Sequence, residues 1–318
     1  MTNITLGRFA AAIICAASVC TACASDSEDS PVNQQERVIK FEGIENGRDM
    51  GGLVMQDGRS VSFGKLVRSA NLSEATDADV AILKNRYQLT DVFDFRFEAE
   101  EAAAPDRIIE GVTYTQLSTL PASFLAAAGT GIASSGKIDT RDLGALLMQF
   151  AFNPQMQAMA KQLYPAIVTE PQSQSYYGEF LRGVLKAKGG VLWHCSQGKD
   201  RAGWAAAFVL AALGASREVI VQDFDLSNES YAAKVEALSS QLRDKAKQQS
   251  ADGTTTADTN AAIAFIKAMI GVSRENFEAT LDLIDQKYGS MEQYIENQLA
   301  FSKEEQQQLR NKYLTNTK

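Results

Sequence analysis

The feature that most constrains the fold is one continuous stretch, "GVLWHCSQGKDRAGWAAAFVLAALG", residues 190–214. Its first six residues form a short apolar run suited to a strand. Its last fourteen, "RAGWAAAFVLAALG", are apolar nearly all round, which predicts a buried helix ending at Gly214. A strand feeding a buried helix is the building unit of an α/β domain. The chain is 318 residues long and 45% hydrophobic, so it can bury a core of that kind.

The pattern continues on either side. Strands are predicted at 37–41, 65–69, 91–96, 112–117 and 190–195. Between them residues 77–87 read as a helix with Val80, Leu83 and Tyr87 on one face. Residues 119–142 are rich in Ala, Gly, Ser and Thr and read as a loop or weak helices. Residues 143–187 read as helical, with breaks at Pro154, Pro165 and Pro171. The last third is helical. Val235, Leu238 and Leu242 share a face, residues 251–259 read as a linker, and Phe277, Leu281, Ile284 and Tyr288 follow a 4-3-4 spacing. The expectation is one α/β domain over 37–318 with a helical insert and a helical C-terminal portion.

The N-terminus reads differently. Arg8 is the only charged side chain before Asp26, and "FAAAIICAASVCTACAS" lies between them. It has the length of a signal-peptide core and is short for a membrane span. Residues 1–24 are expected to be an export signal, cleaved after Ala24 at an A-x-A site or ending before a lipidated Cys23. Residues 25–36 are expected to be a flexible tether. The protein is thus expected to be exported: periplasmic, membrane-anchored through a Cys23 lipid, or secreted.

That expectation changes the meaning of the cysteines. Cys15, Cys20 and Cys23 fall in the signal, so the mature chain keeps only Cys195 and can form no internal disulfide. A lone thiol in an oxidising compartment needs a reason. The loop around it supplies one. Between strand and helix, Ser196, Gln197, Gly198, Lys199 and Asp200 can wrap backbone N–H groups around an anion. A thiol there has its pKa lowered from ~8.5 toward roughly 3.5–7.5, which makes it a nucleophile. Arg201, at Cys-x5-Arg spacing, can hold two phosphate oxygens in a planar fork. In-line attack on a phosphate monoester then needs an acid for the leaving oxygen. Asp200 and Asp94 are the candidates, Asp94 because its strand should neighbour the loop's strand.

The same residues exclude other classes. One histidine rules out a multi-histidine metal centre, and the mature chain lacks ligands for zinc, so no metal or cofactor is expected. His194 and Cys195 are adjacent on a strand and face opposite ways, which argues against a Cys–His protease pair. His194 is expected behind the loop, bonding backbone or tuning the thiolate. A net charge of −8 and a pI near 4.9 argue against nucleic acid as a partner.

At this level of detail "HCSQGKDRAG" resembles the HCxxGKDR loop of bacterial tyrosine phosphatases, some of which also act on phosphoserine and phosphoinositides. The similarity extends to "NGRDMGG" (46–52), "KLVRSANLSEATDAD" (65–79), "DVFDFRFEAEEAAAPD" (91–106), "DFDLSN" (223–228) and "YGSMEQYIENQLAFSKEE" (288–305). It implies a cysteine-phosphatase-like fold with a central, mostly parallel sheet flanked by helices, and a phosphatase domain over 37–318. It implies Cys195 as nucleophile, Arg201 as phosphate clamp and Asp200 as general acid. Asn46, Arg48 and Asp49 are expected to brace the site, and Asp94 either to serve as the acid or to pair Arg96 or Arg48. Lys199, a second cation, suits phosphoinositide or inositol-phosphate substrates, or it only helps neutralise the bound dianion. Ala202 stands where many relatives carry Thr, so slower turnover is expected unless Ser196 substitutes as hydroxyl donor. A turnover-deficient phospho-ligand binding module and a rhodanese-type sulfur transferase are the competing classes.

Overall fold

The computed structural model describes residues 34–119, 151, 153–248 and 256–316. Seven strands occur among them: β1 (Arg48–Asp49), β2 (Arg59–Val61), β3 (Leu66–Ser69), β4 (Leu89–Asp94), β5 (Thr113–Gln116), β6 (Gly190–His194) and β7 (Leu314–Asn316). Five form one sheet in the order β1-β3-β6-β4-β5. Only β1 runs antiparallel to its neighbour. The fold is therefore α/β with a mostly parallel central sheet.

Successive side chains on a strand point to opposite faces, and here both faces are covered. Leu66, Phe93, Val191 and Trp193 enter one apolar cluster, while Val67, Val92 and Leu192 enter another. That double burial is why the central strands read as unbroken apolar runs. The first face carries α4 (Pro154–Thr169), α5 (Pro171–Lys186) and α6 (Arg201–Leu213). All thirteen residues of α6 are buried, and Gly214 ends the helix in the left-handed region with φ 96°. The second face carries α2 (Asp77–Asn85), which begins on a capping box between Thr76 and Asp79.

Several expectations are corrected. Residues 37–41 are not a strand: α1 (Gln34–Arg37) ends there, and Val38 makes one isolated bridge to Arg48. The Arg37 side chain, at the end of α1, is buried against Asp223. Pro154 and Pro171 open helices, where a missing N–H costs nothing, whereas Pro165 lies inside α4 without ending it. Thr256–Thr259, read as linker, start the helix Thr256–Ile270. The antiparallel β2–β7 ribbon and the two-residue β1 were missed because segments this short show no period. The export-signal reading and the loop reading from residue 120 onward lie outside the described residues.

Candidate active site

β3, β6 and β4 run parallel, so the loop after β6 emerges at the carboxyl edge of the sheet, where α6 begins. That edge is where α/β sheets place ligands. The loop's shape follows from where its carbonyls go. Ser196 O accepts from Asn71 Nδ2 at 2.8 Å, and Gln197 O accepts from Tyr231 Oη at 2.7 Å and Asn46 Nδ2 at 3.1 Å. Gly198 O accepts from Asn46 Nδ2 at 3.2 Å and Arg68 Nη2 at 3.0 Å, and Lys199 O from Arg68 Nη2 at 3.1 Å. In a trans peptide the next N–H points the opposite way. Drawing four consecutive carbonyls outward therefore turns the amides of residues 197–200 inward. Gly198 sits at φ 66°, and a Cβ there would lie 2.1 Å from Ser69 O, so this turn requires glycine.

Cys195 opens the loop and is buried, the one free cysteine among the described residues. Arg201 closes it. Arg201 Nη1 donates to Glu100 Oε2 at 2.6 Å and to Phe95 O at 3.1 Å. Nη2 donates to Glu100 Oε1 at 2.7 Å and to Ser196 Oγ at 3.3 Å. The guanidinium plane is thus fixed by a carboxylate on α3 (Glu98–Ala103), with no acceptor for Nε–H among the described residues. Burial alone would lower the Arg201 pKa, but the Glu100 charge outweighs it and holds the group well above its ordinary value. Burial likewise pushes Glu100 up, and Arg201 and Ser196 bring it below its ordinary value. The Ser196 hydroxyl donates to Glu100 Oε1 at 2.5 Å, so it is committed there rather than to Cys195.

Beneath the loop, Asp223 on α7 (Arg217–Asp225) gathers three buried arginines. Its Oδ1 accepts from Arg37 Nη2 and from Arg48 Nε at 3.3 Å, and its Oδ2 accepts from Arg68 Nη1 at 2.8 Å. Burial alone would raise the Asp223 pKa, but the charges of Arg48, Arg37 and Arg68 bring it far below the usual carboxylate range. Arg48 is pulled down to about 9 by burial and by neighbouring Arg68. Arg48 also donates to Asn46 Oδ1 at 2.8 Å, and Asn46 bonds the loop. Asn46 and Arg48 therefore brace the site. Asp49 braces elsewhere: it accepts from the Gly51 and Gly64 amides, each at 2.8 Å, and holds the turn after β1.

The two acid candidates have different surroundings. Asp94 is buried at the end of β4 opposite His194, with Arg96 donating to both its oxygens at 2.8–3.0 Å. It belongs to a buried group with Asp106 and His194. His194 Nε2 lies 3.0 Å from Asp106 Oδ2, and Nδ1 lies 3.6 Å from Asp94 Oδ1 and 3.4 Å from Cys195 O. The Asp94, Asp106 and His194 ligand atoms could converge on a cation, yet Arg96, 3.0 Å from Asp106 Oδ1, already provides one. His194 lies behind the loop. Asp200, by contrast, is at the mouth and partly exposed. Its Oδ1 accepts from Tyr164 Oη at 2.8 Å, and its Oδ2 pairs with Lys199 Nζ at 2.8 Å.

Glu100, Arg68, Asp223 and Tyr164 were not assigned roles from sequence. Arg68 and Asp223 carry one usable signal: each is a charge close to apolar residues, Leu66 and Val67 for the first, Ile220, Val221 and Phe224 for the second. Such a group is buried only when paired.

A thiol and an arginine at the two ends of one loop, at the carboxyl edge of an open α/β sheet, are the setting of an oxyanion site. The chain belongs to the tyrosine phosphatase family, whose model matches residues 39–315. It is 26% identical over 279 residues to "Putative tyrosine-protein phosphatase H16_A0669" of Cupriavidus necator, covering 87% of this chain and 88% of that one. It is 30% identical over 275 residues to the triple specificity protein phosphatase PtpB of Mycobacterium tuberculosis, covering 81% and 92%. The protein is a phosphatase of this family.

Proposed function

We propose that the protein hydrolyses phosphotyrosine through a cysteinyl-phosphate intermediate, with Cys195 as nucleophile, Arg201 as clamp and Asp200 as general acid. The outward pull on four loop carbonyls carries this reading, because it leaves amides aimed at the space between Cys195 and Arg201. The phosphoryl oxygens accept from those amides and from the Nε edge of Arg201. Cys195 Sγ attacks phosphorus, the bond to the tyrosyl oxygen breaks, and Asp200 delivers a proton to that oxygen. Water then attacks phosphorus with Asp200 accepting its proton, and the thiolate leaves.

Asp200 fits the acid role better than Asp94 because it lies in the loop itself and is partly exposed, whereas Asp94 is buried beside Arg96 and His194. Lys199 pairs with Asp200, and one cation placed there serves to neutralise a bound dianion without calling for a substrate with several phosphates. The test uses an aryl phosphate with wild type and Cys195→Ser. Loss of at least 10³-fold in kcat, on the order seen when a covalent nucleophile is removed, supports the reading. Activity that survives the change rules out the thiolate mechanism. The composition of residues 1–24 supports export, with or without a lipid on Cys23. The mass of the mature N-terminal peptide distinguishes cleavage after Ala24 from a lipidated Cys23.

A further inference from the structure

The proposed acid, Asp200, is held by a residue from another part of the fold. Tyr164, on α4, is buried and donates from Oη to Asp200 Oδ1 at 2.8 Å. Its ring is wedged edge-on against Phe224 and Trp204, with centroids 5.6 and 6.3 Å away. The hydroxyl therefore has little freedom. Burial, reinforced by the Asp200 charge, raises the Tyr164 pKa well above its ordinary value, so it acts as a donor.

We propose that Tyr164 is a positioning residue for the general acid: by donating to Oδ1, it makes Oδ2 the oxygen that carries and delivers the proton. This rests on the reading of Asp200 as acid. The reason is hydrogen-bond directionality. In a protonated carboxyl the carbonyl oxygen is the better acceptor, so the hydrogen bond from Tyr164 favours Oδ1 as the carbonyl oxygen and Oδ2 as the oxygen that bears the proton. In this structure Oδ2 faces the Lys199 ammonium, which is itself only a donor. An O–H and an N–H cannot both point along one contact, so Lys199 must turn away before Asp200 can be loaded. Ala268 O, 3.5 Å from Nζ, and the incoming phosphate dianion are the alternative acceptors. In the transfer step the Oδ2–H bond breaks as an O–H bond forms on the leaving oxygen. The P–O electron pair goes to that oxygen as the S–P bond forms.

The experiment measures kcat/KM, which reports phosphoenzyme formation, for aryl phosphates whose phenols span a wide pKa range. The readout is the ratio of the value for phenyl phosphate to that for a strongly acidic phenol ester. General-acid help matters most for the poorer leaving group. Tyr164→Phe keeps the ring and its packing and is expected to lower this ratio roughly tenfold, within the range of general-acid effects. Thermal melting checks that the variant is folded. Asp200→Asn, run alongside, must lower the same ratio. If it does not, Asp200 is not the acid. If it does while Tyr164→Phe keeps the wild-type ratio, or lowers both substrates equally, the positioning role of Tyr164 is overturned.

Discussion

Asp223→Asn tests the construction under the loop. The carboxylate is 1% exposed and is the acceptor shared by Arg37, Arg48 and Arg68. An amide of the same shape removes the charge and puts an NH2 where an oxygen accepted from a guanidinium. Three cations then remain buried without their counter-charge. Leaving buried charge unpaired costs about 3–5 kcal/mol. For a domain of this size that lowers the melting temperature by roughly 6–20 °C. Arg68 also loses its anchor while still bonding Gly198 O and Lys199 O, so kcat/KM for an aryl phosphate should fall as well. Calorimetry and steady-state assays read both effects. The electrostatic cause has its own check: adding Arg37→Met removes one of the stranded cations, so the double variant should melt above Asp223→Asn alone. Further loss in the double variant, or a shift below about 2 °C in the single one, would refute the reasoning.

Two further outcomes follow from the site. Gly198→Ala places a Cβ 2.1 Å from Ser69 O at φ 66°, so the loop must shift. A displacement of about 1 Å at a reacting centre costs on the order of 100-fold, and kcat/KM should fall by at least that much. A variant within twofold of wild type would show that the loop tolerates the side chain. Asp106 is the pH-sensitive case. Burial pushes its carboxyl up, but the hydrogen bond and charge of His194, with Arg96 and the Leu72 amide, outweigh this and leave it below its ordinary value. A depressed carboxylate contributes stability that is full above its unfolded pKa, ~3.9, and lost as pH falls through the folded value. The gap in urea midpoint between wild type and Asp106→Asn should therefore be wider at pH 7 than at pH 3. A gap that widens in acid would reverse the sign.

The candidates Cys195, Asp200 and Arg201 were legible in the sequence because they are contiguous. One strand, one loop and one helix carry all three, and the strand–loop–helix order alone suggests an anion site. The α/β class was legible for a related reason, since residues buried on both sides leave an unbroken apolar record. Asp94 was not resolved from sequence between catalytic acid and ion-pair partner, because its register beside β6 suits either.

What the tertiary structure decided depends on contacts between distant segments. Glu100 meets Arg201 across 101 positions, Arg68 meets Asp223 across 155, and Tyr164 meets Asp200 across 36. No local pattern records such a pairing, because a charge among apolar neighbours states that a partner is needed and not which residue it is. The sequence alone determined which residues could react. Packing determined where the loop carbonyls point, which nitrogens of Arg201 face Glu100 and which oxygen of Asp200 accepts from Tyr164. Those depend on direction, and direction at the loop is set by side chains arriving from distant segments: Asn46, Arg68, Asn71 and Tyr231 on its carbonyls, Glu100 on Arg201 and Tyr164 on Asp200.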